Sequence, residues 1–117
     1  MIEGIIDERG VPVIELRFAG RTWTAMIDTG FNGYFELPDD IMDLVAAQYS
    51  GTLKSVLAGG YIVKERHYKV RFPFDGEIYD VPATFAPGDG ILLGTKLLRP
   101  YRLTIDFPAR QVWLERE

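Results

Sequence analysis

Two apolar runs, each ending on a glycine turn, constrain this chain more than any other feature. Thr22-Trp23-Thr24-Ala25-Met26-Ile27 delivers an aspartate onto Asp28-Thr29-Gly30, and far downstream Ile91-Leu92-Leu93 ends on Gly94. The first run is rich in β-branched and aromatic residues and reads as a strand. The second is continuously apolar, as a strand covered on both faces is. An ionised carboxylate at the end of a buried strand needs hydrogen bonds or a partner to replace its lost hydration. Asp-Thr-Gly is also ordinary turn chemistry, in which Asp caps the turn and Gly takes a positive φ. The tripeptide alone leaves both readings open, and the surrounding chain has to decide between them.

That chain reads as strand after strand. Ile2 to Ile6 is a short strand, Val13 to Phe18 alternates with period two, and Ala19-Gly20-Arg21 turns it back into the run that carries Asp28. Tyr34 to Leu37 follows, stopped by Pro38. Asp39-Asp40 then opens the one expected helix, with Ile41, Leu44, Val45 and Gln48 on one face and an end near Tyr49. Pro38 and the two acids suit a helix N-terminus, so these carboxylates read as caps. Two strand-like arms flank Ala58-Gly59-Gly60, a glycine pair suited to a tight hairpin and to close approach of a ligand. His67, the only histidine, falls in a strand-like run and reads as a solvated position. Pro73-Phe74-Asp75-Gly76 makes another turn, Thr95 opens a helical turn that Pro100 ends, and Tyr101 to Phe107 and Gln111 to Leu114 close the chain.

Composition removes several classes of function. The 117 residues suit one domain, 1–117, with no linker or repeat, and 47% apolar with 26% charged residues is an ordinary globular balance. A net charge of -4 with no Lys/Arg cluster argues against nucleic acid. With no cysteine and one histidine, thiol catalysis, disulfides and multi-histidine metal sites are excluded, and neither metal nor organic cofactor is expected. No basic start with an apolar core marks a signal peptide, and no run approaches the roughly 18 apolar residues of a membrane span, so the expectation is a cytoplasmic protein without membrane contact.

Taken together and in order, the apolar strand with Asp28-Thr29-Gly30, the hairpin tipped by Gly59-Gly60, and Ile91-Leu92-Leu93-Gly94 before Leu97-Leu98 resemble a retropepsin-like aspartic protease. Within that superfamily, Asp28 to Gly33, Leu37-Pro38 and Tyr101 to Phe107 are similar to a group of small prokaryotic proteins whose motif is Asp-Thr-Gly-Phe-Asn-Gly. The resemblance implies a mostly β, single-lobe closed barrel, with one helix between the catalytic turn and the flap and a short helical turn after Gly94. It implies an aspartic endopeptidase acting on extended peptides. Because the chain has one Asp-Thr-Gly, the second carboxylate would come from Asp28 of a second copy in a homodimer. Asp28, Thr29 and Gly30 would be catalytic. Phe31, Asn32, Gly33, Leu57, Gly59, Gly60 and Ile62 would contact substrate, and Ile2, Ile5, Ile6, Val112 and Trp113 near the termini would supply dimer contacts. Phe31 departs from the small residue usual after the glycine, and would either line a subsite or obstruct the cleft. A non-catalytic peptide-binding module and a scaffold protein are the alternatives on the same fold.

Overall fold

The computed structural model describes residues 1–56 and 58–117. Its strands are β1 (Ile2–Ile6), β2 (Pro12–Phe18), β3 (Arg21–Ile27), β4 (Phe35–Pro38), β5 (Gln48–Val56), β6 (Ile62–Phe74), β7 (Glu77–Ala86), β8 (Ile91–Leu93), β9 (Tyr101–Asp106) and β10 (Gln111–Arg116). They form one sheet in the order β5-β6-β7-β4-β8-β3-β2-β1-β10-β9. The mostly β expectation holds. The closed barrel does not: among the described residues the hydrogen-bonded ladder ends at β5 on one side and β9 on the other, with no pairing between them.

Three-residue β8 is the hinge of this topology. It runs parallel to β3, with Ala25 opposite Ile91 and Ile27 opposite Leu93, and antiparallel to β4, with Phe35 opposite Leu93. Parallel pairing brings the C-terminal ends of β3 and β8 side by side. Asp28 therefore leaves the sheet next to Gly94, and β4 begins at the same end. Ile91 and Leu93 are fully buried while Leu92 is half-buried, so the apolar run is covered mainly on one face.

The core lies where β3, β4, β6 and β8 overlap. Phe35 and Phe72 rings are 4.9 Å apart, Phe74 meets Phe35 edge-on, and Leu37, Ile41, Val70 and Leu97 fill around them. Each such buried side chain contributes about 1.5–3 kcal/mol of burial free energy. That packing fixes the strands whose ends carry the Asp28 turn.

Two expected elements differ. In place of an α-helix to Tyr49 there is a 3-10 helix, Asp39–Leu44. It stops because the Val45 carbonyl accepts the Arg71 N–H of β6 at 2.8 Å and Ala46 takes φ 51°, which turns the chain into β5 at Gln48. Ile41 and Val45 are buried as expected, but Leu44 is 55% exposed. The second difference concerns the termini. β1 pairs with β10, and β10 with β9, within the same chain; of the residues expected at a dimer contact, Ile6 and Val112 are buried in its own core, Ile2 and Trp113 are half-buried and Ile5 is 57% exposed. Among the residues described, the helical turn after Gly94 is present as α1 (Thr95–Leu98).

Candidate active site

The Asp28 turn is held by backbone hydrogen bonds from both sides. Asp28 N–H donates to the Leu93 carbonyl at 3.0 Å, which continues the β3–β8 pairing one residue past the strand. Phe31 N–H donates back to the Asp28 carbonyl at 3.1 Å, closing the turn. Across the junction, Gly94 N–H reaches the Tyr34 carbonyl at 3.0 Å, Thr95 N–H the Phe31 carbonyl at 2.8 Å, and Lys96 N–H the Gly33 carbonyl at 3.1 Å. The first N–H groups of α1 are thus satisfied by the Asp28 loop instead of by a side-chain cap. Asp28 itself is half-buried, and its Oδ1 accepts the Gly30 N–H at 3.0 Å, which orients the carboxylate.

Gly94 is fixed by space. A Cβ on it would run into the Gly33 carbonyl and lie 2.8 Å from Cδ2 of Phe31. A Cβ on Gly33 would lie 2.7 Å from Cε1 and Cζ of the same ring. The Phe31 side chain therefore packs flat into the space that two glycines leave. The bulky residue after Asp-Thr-Gly is accommodated against the loop.

The expected catalytic and substrate-contacting residues fall in three places. Phe31 and Gly33 line a cavity of about 160 Å³, together with Leu53 and His67 of the β5–β6 hairpin and Ala83 of β7. Thr29, Gly30 and Asn32 are exposed on the turn. Gly59 and Gly60, with φ +87° and +83°, stand at the hairpin tip, and Ile62 is 66% exposed at the start of β6, away from that cavity. Leu57 lies outside the described residues. The hairpin is present with Val56 opposite Ile62, and it carries exposed apolar side chains, among them Leu53, Val56 and Tyr61.

Residues not expected from sequence complete the surroundings. A second cavity, of about 390 Å³, is lined by Glu36, Asp39, Lys64, Glu65, Tyr68 and Thr84, and it shares Glu65 and Thr84 with the first. Glu36 is pushed above the usual carboxylate range, first by burial and then by the negative charges of Glu65 and Asp28. His67 is half-buried rather than solvated, with Nε2 4.0 Å from Glu65 Oε2. The alternation in β4, where Phe35 and Leu37 are buried on one face, was the available signal that Glu36 points to the other. On the far side of the turn, Thr29, Leu98, Arg99 and Leu103 border an open concavity of about 370 Å³.

Among the described residues, no helix is long and apolar enough to cross a membrane. No protein-family model matches the chain, and no curated protein matches it significantly. Among solved structures, the crystal structure of a retropepsin-like aspartic protease from Rickettsia conorii is similar over 97% of this chain and 88% of that one, with a TM-score of 0.65 and 20% sequence identity. At that identity the likeness is one of fold, and the fold of this chain is that of a retropepsin-like aspartic protease.

Proposed function

We propose that the chain is one subunit of a homodimeric aspartic endopeptidase. The observation that carries this reading is the placement of Asp28: a half-buried carboxylate, oriented by Gly30 N–H, on a turn that β8 and α1 brace and whose Phe31 lines a cavity with Leu53 and His67 of the β5–β6 hairpin.

Two copies related by a two-fold axis would bring their Asp28 carboxylates together. Like charges at such a distance are costly, so the pair holds one proton between them and titrates as a unit. The ionised member takes a proton from a water molecule while the resulting hydroxyl attacks the scissile carbonyl carbon. The protonated member gives its proton to the carbonyl oxygen, forming a tetrahedral diol. On collapse, the protonated carboxyl gives its proton to the nitrogen as the C–N bond breaks, and one diol hydroxyl returns its proton to the other carboxylate as the carbonyl re-forms, which leaves one proton shared by the dyad. Thr29 braces the paired turns, and Gly30, Asn32 and Gly33 offer backbone groups to an extended peptide. The hairpin tip at Gly59 and Gly60, with Ile62 near it, closes over the substrate and excludes water. No metal or organic cofactor enters these steps.

The Thr29, Leu98, Arg99 and Leu103 concavity supports a partner seam next to the turn, since it opens on the same side as Thr29. The test is cleavage of a mixed peptide library by the parent and by Asp28→Asn. Products from the parent, with a loss of roughly 10²–10⁴-fold in the variant, support the assignment. Equal cleavage by both removes Asp28 from the chemistry.

A further inference from the structure

We infer that Phe31 sets the size of the substrate side chain accepted next to the scissile bond, an inference that rests on the peptidase reading above. Its ring forms the loop-side wall of the cavity of about 160 Å³, and Leu53 faces it from the hairpin. The ring cannot retreat, because it fills the space beside Gly33 and Gly94. Nor can its backbone shift freely: its N–H is bonded to the Asp28 carbonyl at 3.1 Å and its carbonyl to Thr95 N–H at 2.8 Å. The wall is thus rigidly tied to the residue that carries the carboxylate.

The volume defines the occupant. An apolar cavity of about 150 Å³ holds one benzene ring. A pocket of this size, whose walls include Phe31, Tyr34, Phe35 and Ala83 beside the polar Glu65, His67 and Lys96, suits one side chain from leucine up to phenylalanine. An indole would need the space that the Phe31 ring occupies. Leu53 is 57% exposed, so the hairpin-side wall is adjustable, whereas the loop-side wall is fixed. Pocket depth is therefore set by residue 31 and closure by residue 53.

The two walls make opposite predictions. Peptides varied at one position from Ala through Leu and Phe to Trp are compared in kcat/KM for parent, Phe31→Ala and Leu53→Phe. Phe31→Ala is expected to raise the Trp-to-Leu preference about tenfold, the scale of a hydrophobic-pocket size change. Leu53→Phe is expected to move the preference toward Ala. If Phe31→Ala does not fold, Phe31→Leu, which keeps an apolar side chain against Gly33 and Gly94, is compared in its place and is expected to shift the preference toward Trp in the same direction. Cleavage by the parent with the same size profile in the folded variants overturns the role of Phe31 and leaves the peptidase reading intact. If the parent neither cleaves these peptides nor binds their reduced-amide analogues, the peptidase reading fails and this inference fails with it.

Discussion

Gly94, at the end of β8, and Glu36, on neighbouring β4, each carry a single-residue prediction. Adding a methyl group at Gly94 would drive it into the Gly33 carbonyl, which also accepts the Lys96 N–H, and toward the Phe31 ring. Neither neighbour is the free end of a flexible chain. Gly94→Ala is expected to cost about 1–3 kcal/mol, read as a lower urea midpoint at unchanged m-value. Glu36 carries the opposite kind of strain. Burial and the charges of Glu65 and Asp28 raise its pKa in the folded protein, so folding favours the protonated form. The stability this contributes is present below the unfolded-state value and is lost as pH rises through the higher folded value. At neutral pH the ionised group is therefore a cost, and Glu36→Gln should melt higher than the parent there. The difference should vanish on acidification below the ordinary glutamate range; a difference independent of pH would show that Glu36 ionisation is not its source. Gly94 was legible in the sequence because an apolar strand ending on glycine demands a close neighbour. For Glu36 the alternation in β4 signalled only its face; its raised pKa was not legible, because it depends on burial and on Glu65, which the fold brings in from β6.

At the scale of elements, strands were legible wherever period-two alternation or a glycine turn marked them, as in β2, β3 and the β5–β6 hairpin. The segment after Pro38 misled because Ile41 and Val45 are four apart, the spacing of a helix face, and both are buried. A 3-10 turn followed by the left-handed Ala46 satisfies the same two burials, and pairing of Val45 with Arg71 then outweighs further helix. The closing β9–β10 hairpin shows how a tertiary bond joins elements that sequence alone does not connect. Tyr101, the first residue of β9, donates its hydroxyl to Asp75 Oδ2 at 2.6 Å in the turn between β6 and β7. Burial, together with that bond, pushes the phenol well above its ordinary range. Tyr101→Phe keeps the ring against Phe74 but leaves the carboxylate without its donor. A loss of about 1–2 kcal/mol in denaturant unfolding is expected. If Asp75→Asn together with Tyr101→Phe costs the sum of the two single changes, the bond contributes nothing measurable.

For the whole molecule, the decisive question is whether one chain suffices. The fold brings a single Asp28 to the end of β3, and the terminal strands pair within the chain, β1 with β10 and β10 with β9, which buries Ile6 and Val112 and leaves Ile5 exposed. The sequence could not reveal this, because a terminal strand reads the same whether its partner is its own chain or another. What remains beside the turn is the concavity at Thr29, Leu98, Arg99 and Leu103, and the outer edge of β9. If activity needs two Asp28 carboxylates, specific activity should fall on dilution as dimers dissociate, in step with the sedimentation equilibrium of the same samples. A mixing experiment separates a shared site from mere association. In an isologous dimer that exchanges subunits freely, adding an equal amount of Asp28→Asn to the parent leaves roughly half of the parent's activity, because many parent subunits become paired with the variant. If each chain carried a complete site, the parent's activity would stay unchanged at every ratio. A decline proportional to the parent's share of the mixture would place half of the catalytic apparatus on each subunit.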